Sequence, residues 1–179
     1  FAFDPTPHTG GDNAAYLALA RSLLESGRYL ELWDPAAGPH TQYPPGFPAL
    51  LAGAMALGIT SWTGLKLVVL VTSALGVGLS YRWMRERPGT TPGTALGVGL
   101  IVALAVGIVD ASHWILSDVP FWAATMGALW FAARDNVPAA AGLAFGALLI
   151  RTAGLPLVLA VALWLALRRR WRWAAGVLG

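Results

Sequence analysis

Apolar residues in this chain come in five long blocks, and its basic residues lie mostly at the ends of those blocks. The blocks occupy residues 64–81, 93–109, 121–133, 139–150 and 155–167. Continuous apolar blocks, without regular alternation with polar residues, are typical of membrane-embedded helices. Charged residues make up only 12% of the chain, whereas soluble domains carry about 25%. The pattern therefore predicts helices in a lipid environment and argues against a soluble domain.

The placement of the arginines predicts how the blocks cross the membrane. If successive blocks cross in alternate directions, the arginines at 82–87 and 168–172 emerge on one side, which the positive-inside rule assigns to the cytoplasm. Residues 1–61 and the loop 110–120 then lie on the outer face. We therefore expect an all-α, polytopic transmembrane helical bundle, multi-pass in the plasma (inner) membrane, with about five spans within residues 62–179. Several blocks are shorter than a full span, so we expect them to be tilted or buried among neighbours.

The segment before the first block is mixed in polarity and predicts a first extracytoplasmic loop with juxtamembrane helices. It holds seven of the twelve prolines. Residues 13–26 are predicted to form an interfacial helix with Asp12 as its N-cap and Gly27 as its stop. A rigid turn at 43–48 leads into a short apolar helix at 49–59. We also expect the chain to be a fragment of a longer protein, with a further span before it.

Composition removes several classes of site. The chain has no cysteine, which excludes disulfides and thiolate metal ligands. Its histidines, His8, His40 and His113, are too scattered along the sequence to predict a metal cage. The net charge of +3 resides at the ends of apolar segments, which is typical of membrane topology and predicts no nucleic-acid partner.

Two aspartates stand where the chain is predicted to meet the membrane. Asp12 follows two glycines and lies one helical turn before Tyr16, on the same face. It is either an ordinary helix cap or a carboxylate that takes part in chemistry. Asp118 lies where the outer loop re-enters the membrane, a depth at which a charge is costly and tends to be functional. Asp118 could also be a cap before Pro120, and Asp110 is a weaker candidate because no pattern surrounds it.

Basic residues inside the apolar blocks also need an explanation. Arg151 interrupts the apolar stretch 142–165 and requires an anion. The alternatives are an ion pair with Asp110 or Asp118 and a clamp on a lipid phosphate. Lys66 is interpreted as a residue whose amine reaches the membrane interface, and most tryptophans as interface anchors.

Several motifs, in their order along the chain, resemble those of a known enzyme group. They are GDNAAYL at 11–17, the following Ala20 and GRY at 27–29, YPPGFPALL at 43–51, LSDVP at 116–120, and the glycine-spaced segment with IRT and GL at 142–155. The chain resembles the lipid-linked-sugar glycosyltransferases of the GT-C fold. Within them it is most similar to the protein O-mannosyltransferase and aminoarabinose transferase group (glycosyltransferase family 39-like). The similarity extends over essentially the whole chain.

This resemblance implies an enzyme that moves a sugar from a polyprenyl-phosphate carrier to an acceptor hydroxyl, with inversion, on the outer face of the membrane. It implies catalytic roles for Asp12, as general base, and for Asp118. It implies substrate binding by further side chains, namely Asn13, Tyr16, Tyr43, His113 and Arg151, with Arg151 on the leaving phosphate. The implied partners are the polyprenyl-phosphate sugar, a lipid, glycan or protein acceptor, and membrane lipid. No cofactor is certain, and a divalent cation is possible.

Two departures leave the sugar and the acceptor open. Many relatives have a second acidic residue directly after the first, where this chain has Asn13. Aminoarabinose-type relatives often have a lysine before the double proline, where this chain has Tyr43. Two other functions fit the same residues: a transporter or flippase for a lipid-linked substrate, and a non-catalytic membrane subunit of an envelope-building complex.

Overall fold

The computed structural model describes residues 6, 11–36 and 38–178, and this part of the chain is all-helical. Its only extended pairing is a single bridge between Leu30 and Pro39. The helices are α1 (Asp12–Ser26), α2 (Gly46–Ala56), α3 (Trp62–Arg85), α4 (Pro92–Ala103), α5 (Val106–Ser112), α6 (Asp118–Ala133), α7 (Val137–Ile150), α8 (Leu155–Leu167) and α9 (Trp171–Leu178), with a 3₁₀ turn at Thr152–Gly154. The predicted all-α class is confirmed.

The start of α1 differs from the prediction. Gly11, not Asp12, is the N-cap; its φ of 63° is one that glycine adopts without strain, and no side chain caps the helix. Asp12 is the first residue of the helix. At the other end the prediction is confirmed, because Gly27 is left-handed and its N–H donates to the carbonyl of Leu23. The Asp12 carboxylate is therefore not used as a cap.

Helices α1 and α2 pack on each other and on the first turns of α3. The apolar cluster between them includes Tyr16, Phe47, Leu51 and Leu65, together with Ile115 from the segment before α6. Phe47 and Leu51 lie four residues apart on α2, so they form one apolar face. This cluster places the N-terminal helices against the segment that leads into α6.

Within the described residues, α3 is the one unbroken helix that is long and apolar enough to cross a membrane. Its 24 residues extend about 36 Å at 1.5 Å per residue. The predicted span at 93–109 is divided between α4 and α5, which meet at a bend of 54° and are together long and apolar enough to form one broken span. The predicted loop at 110–120 is shorter than expected, because α5 continues through Asp110 to Ser112. Helix α9 was not predicted.

Helix termini are joined by ion pairs at one end of the bundle. Arg134, after α6, donates to both carboxylate oxygens of Glu86, after α3, at 2.9 and 2.7 Å. Asp135 accepts from Arg168 at 3.0 Å and from Arg170 at 2.5 Å, both after α8. We call this the arginine end. Helix α6 begins with Asp118 at the opposite end, where α7 leads into Arg151; we call that the aspartate end.

Lys66, in the second turn of α3, is fully buried. Its Nζ donates to the backbone carbonyl of Thr6 at 2.6 Å. The interpretation of Lys66 as a residue reaching the membrane interface is therefore wrong. The ammonium instead ties the segment before α1 to α3, because a buried charge requires hydrogen-bond acceptors.

We expect the close approach of α2 to α7 to be sensitive to one methyl group. A Cβ added at Gly46 would lie 2.6 Å from the carbonyl oxygen of Leu149, a backbone atom that cannot yield as a side chain does. Gly46→Ala should lower the free energy of unfolding by about 1–3 kcal/mol, measured by far-UV circular dichroism during titration with sodium dodecyl sulfate. Gly53, in the same helix, has open space around its Cα, so Gly53→Ala should be neutral or stabilise by up to about 1 kcal/mol. Equal effects of the two substitutions would contradict this packing.

Candidate functional site

The Asp12 carboxylate is held by a tyrosine hydroxyl from the proline-rich turn. Tyr43 Oη donates to Asp12 Oδ1 at 2.7 Å. Asp12 is exposed, and the turn begins with Tyr43 directly before Pro44 and Pro45. The motifs at 11–17 and 43–51 therefore meet at one carboxylate.

Tyr43 is itself held from several sides. Its ring lies 4.9 Å from the ring of Tyr16 and stacks at 5.1 Å on the ring of His40, centroid to centroid. Its backbone N–H donates to Nε2 of His40 at 2.9 Å, so that nitrogen carries no proton. Nδ1 of His40 consequently carries the proton and donates to Glu31 Oε1 at 2.8 Å. Tyr29 Oη donates to the carbonyl of Tyr43 at 3.0 Å.

His40, Glu31 and Tyr29 were not among the predicted site residues. His40 is buried, whereas Tyr29 is half-buried. The available signal was the position of His40 three residues before Tyr43, a spacing at which a side chain can reach the backbone of the following turn. Glu31 gave no such signal, because its contact depends on the bridge that folds residues 30 and 39 together.

Two buried polar contacts join α1 to the segment before α6. Tyr16 Oη and Ser117 Oγ are hydrogen-bonded at 3.0 Å. Asn13 Oδ1 accepts from the backbone N–H of Ile115 at 2.8 Å. Both Asn13 and Ser117 are buried, where an unpaired polar group would be costly. These contacts bring Asp12, on the same helix, to the end of the bundle where α6 begins at Asp118.

Asp118 forms an ion pair with Arg151. Neither Asp118 nor Ser117 caps α6 through a side-chain hydrogen bond, so the interpretation of Asp118 as a helix cap is wrong. Of the two carboxylates proposed as ion-pair partners of Arg151, the structure selects Asp118. The pair is accessible to a ligand, because 53% of the Asp118 side chain and 38% of the Arg151 side chain are exposed. A guanidinium has five N–H donors, so Arg151 can hold a further anion while it contacts Asp118.

Three charged side chains act on the pKa of the Tyr16 hydroxyl. Burial raises the pKa of Tyr16, and the hydrogen bond with Ser117 opposes that rise. The charges of Asp12 and Asp118 raise this pKa further, while Arg151 lowers it. Asp12, Asp118 and Arg151 therefore lie close enough to Tyr16 for all three to act on the same group.

His113 ends helix α5. It is the C-cap of α5, half-buried, and its N–H donates to the carbonyl of Asp110 at 3.0 Å. Its substrate-binding role stays a prediction. Asp110 is exposed on α5.

In the described part of the chain, no three His, Asp or Glu side chains gather as a metal-binding group. His8 lies outside the described residues. Tyr43 contacts Asp12 and Arg151 contacts Asp118, so the two carboxylates have different partners.

We expect the ionisation of Tyr43 to report the charge on Asp12. The hydrogen bond to Asp12 is the main reason that the pKa of Tyr43 is raised to about 12, because ionisation would break that bond and place two negative charges together. Asp12→Asn removes the negative charge, so the pKa of Tyr43 should fall toward its usual value near 10. The measurement is tyrosinate absorbance after rapid pH jumps, taken as the difference between each protein and its Tyr43→Phe derivative. An unchanged difference signal in Asp12→Asn would contradict the contact.

Comparison with known proteins adds no assignment to this geometry. No protein-family model, no curated protein and no solved structure matches the chain. The function proposed for the site is therefore argued from the motifs and contacts described above.

Proposed function

We propose that this chain forms the active site of a membrane glycosyltransferase that moves a sugar from a polyprenyl-phosphate carrier to an acceptor hydroxyl, with inversion. The observation that carries the proposal is that three elements distant in sequence meet: α1, the start of α6 and the end of α7. They bring an exposed carboxylate, Asp12, and an accessible ion pair, Asp118 with Arg151, around Tyr16. Such convergence of charged groups is more typical of a functional site than of packing.

Exposed apolar surface supports embedding of the shorter helices in lipid. On α8, residues at every fourth position form a stripe whose members are 51–77% exposed: Leu155, Leu159, Leu163 and Leu167. On α4, Leu96, Leu100, Ile101 and Leu104 are exposed in the same way. Water-facing stripes of this length are avoided by soluble proteins. A multi-pass bundle in the plasma membrane accounts for them.

Asp12 is suited to act as the general base. A hydroxyl is a poor nucleophile, and a carboxylate within hydrogen-bond distance can take its proton as the new bond forms. Tyr43 occupies Oδ1 of Asp12, which leaves Oδ2 for the acceptor hydroxyl. The acceptor oxygen would attack the anomeric carbon from the face opposite the phosphate, so that the bond to the phosphate breaks and the configuration inverts.

Arg151 is suited to hold the departing phosphate. Negative charge grows on the phosphate oxygens as the sugar leaves, and a positioned guanidinium stabilises that charge. Asp118 orients the guanidinium by its ion pair, and its remaining oxygen can accept from a sugar hydroxyl. In this proposal Tyr16 and Asn13 act by holding α1 in place as well as by lining the site.

The kinetics of sugar transfer should distinguish the role of Asp12 from that of Arg151. We expect Asp12→Asn to lower kcat by roughly 10²–10⁴-fold, the usual effect of losing a general base, while the donor lipid still binds. Arg151→Lys keeps the charge but loses the planar fork; it should raise the KM for the donor roughly tenfold or more. The measurement is a transfer assay in membranes containing the full-length protein, with radiolabelled polyprenyl-phosphate sugars as donors.

Glu25→Gln is the matched control, since Glu25 is exposed on the last turn of the same helix as Asp12. It should leave transfer unchanged. Full transfer by Asp12→Asn would remove the enzyme proposal and favour a structural subunit. Uptake or flipping of the lipid-linked sugar that depends on Asp12, without transfer, would favour the transporter alternative. If Arg151→Ala prevents folding and Asp118→Asn restores it, the arginine acts only as an ion-pair partner.

The proposed orientation places the aspartate end outside and the arginine end in the cytoplasm. Residues 1–179 contain no cysteine, so single cysteines introduced among them can be labelled specifically in an otherwise cysteine-free variant of the full-length protein. We expect Glu25→Cys to react with an impermeant thiol reagent in intact cells and Arg87→Cys to react only after the membrane is opened. Labelling of Arg87→Cys in intact cells would contradict the orientation and, with it, an outer-face active site.

A further inference from the structure

A cavity of about 600 Å³ opens at the arginine end and extends along α8 as far as Leu157. Side chains of α6 and α8 make its apolar wall, which includes Leu129, Leu157 and Val161. Its rim is polar and aromatic and includes Trp83, Arg87 and Arg168. The cavity therefore offers a hydrocarbon-compatible wall beneath a cationic rim, which matches the two parts of a phospholipid.

The rim carries donors that an anion can use. Arg87 lies over the ring of Trp83 at 3.9 Å, and no carboxylate in residues 11–36 and 38–178 lies within ion-pair distance of it. Nε1 of Trp83 is buried and has no hydrogen-bond acceptor among the described residues. A buried indole N–H usually has an acceptor. Nε1 is closed to solvent, so the donors that an anion in the cavity can reach are the guanidinium groups of the lining residues Arg87 and Arg168.

The charge around the cavity favours an anionic ligand. Eight arginines follow or end the helices there, against the two carboxylates Glu86 and Asp135. Arg134 draws the pKa of Glu86 down to about 2, so Glu86 remains an anion committed to that pair. The excess of six positive charges is twice the net charge of the whole chain, which is +3. Arginine-rich pockets between helices at a membrane surface recognise anionic headgroups.

We propose that this cavity is a binding site for an anionic phospholipid, with the phosphate at Arg87 and Arg168 and an acyl chain along the α6–α8 wall. The proposal rests on the membrane embedding in the proposed function but not on the glycosyl transfer. The aspartate-end site and this site lie at opposite ends of α6, so each can be altered without the other. A phospholipid is favoured over free phosphate because the wall of the cavity is apolar.

Native mass spectrometry of the purified full-length protein tests the charged rim. The protein is titrated with phosphatidylglycerol, and separately with phosphatidylcholine. Arg87→Gln with Arg168→Gln should weaken phosphatidylglycerol binding roughly thirtyfold, the effect of two arginines beside an anionic headgroup. Arg85→Gln with Arg172→Gln removes the same charge at the same end from residues that do not line the cavity, and should change binding less than about twofold. Equal losses in both double variants mean diffuse surface attraction and overturn the site.

A second substitution tests the apolar wall while every charge is kept. Ala160 lines the cavity, so the larger side chain of Ala160→Phe should fill it. We expect phosphatidylglycerol binding to fall at least tenfold, because the acyl chain loses apolar contact with the wall. Leu163→Phe, on the exposed stripe of the same helix, should leave binding unchanged. Retained binding in Ala160→Phe, or complete competition by millimolar inorganic phosphate, would overturn the proposal. Glycosyl transfer should survive in Ala160→Phe, so a failure of this inference is separable from a failure of the proposed function.

Discussion

The docking of α1 onto the segment before α6 is the interaction on which the aspartate end depends. It consists of two buried hydrogen bonds, Tyr16 to Ser117 and Asn13 to Ile115, inside an apolar cluster. Buried polar groups are costly unless they are paired, so these bonds admit one register of α1 on the bundle. Apolar contacts alone would tolerate sliding. The two hydrogen bonds therefore define where α1, and with it Asp12, lies on the other helices.

The two ends of the bundle use charge in different ways. At the arginine end, Glu86 and Asp135 each pair with arginines that follow another helix, so the ion pairs hold the helix ends together. At the aspartate end, the pair of Asp118 and Arg151 remains accessible, and Asp12 contacts a tyrosine, not a cation. The pairs at the arginine end thus connect helices, whereas the charges at the aspartate end are placed to meet a substrate.

Part of the site was predictable from local pattern. Asp12 and Tyr16 are predicted together because Asp12 follows two glycines and Tyr16 lies one helical turn further on, and Tyr43 is predicted from the resemblance of the motif at 43–51. The interpretation of Asp12 as a helix cap was wrong for a physical reason: Gly11 already provides the turn into α1, and the hydroxyl of Tyr43 takes the carboxylate. His40 and Ser117 were missed because their roles depend on contacts between segments.

The sequence alone determined the helical class, the stop of α1 at Gly27 and the grouping of arginines at block ends, because periodicity, glycine conformation and hydropathy are local properties. Only the tertiary structure decided that Asp118 pairs with Arg151, that Lys66 is buried and that α4 and α5 bend by 54°. Each of these depends on which side chains approach across more than thirty residues or on how neighbouring helices crowd one another. Local pattern carries no information on such distances, since the same residues satisfy it in several packings.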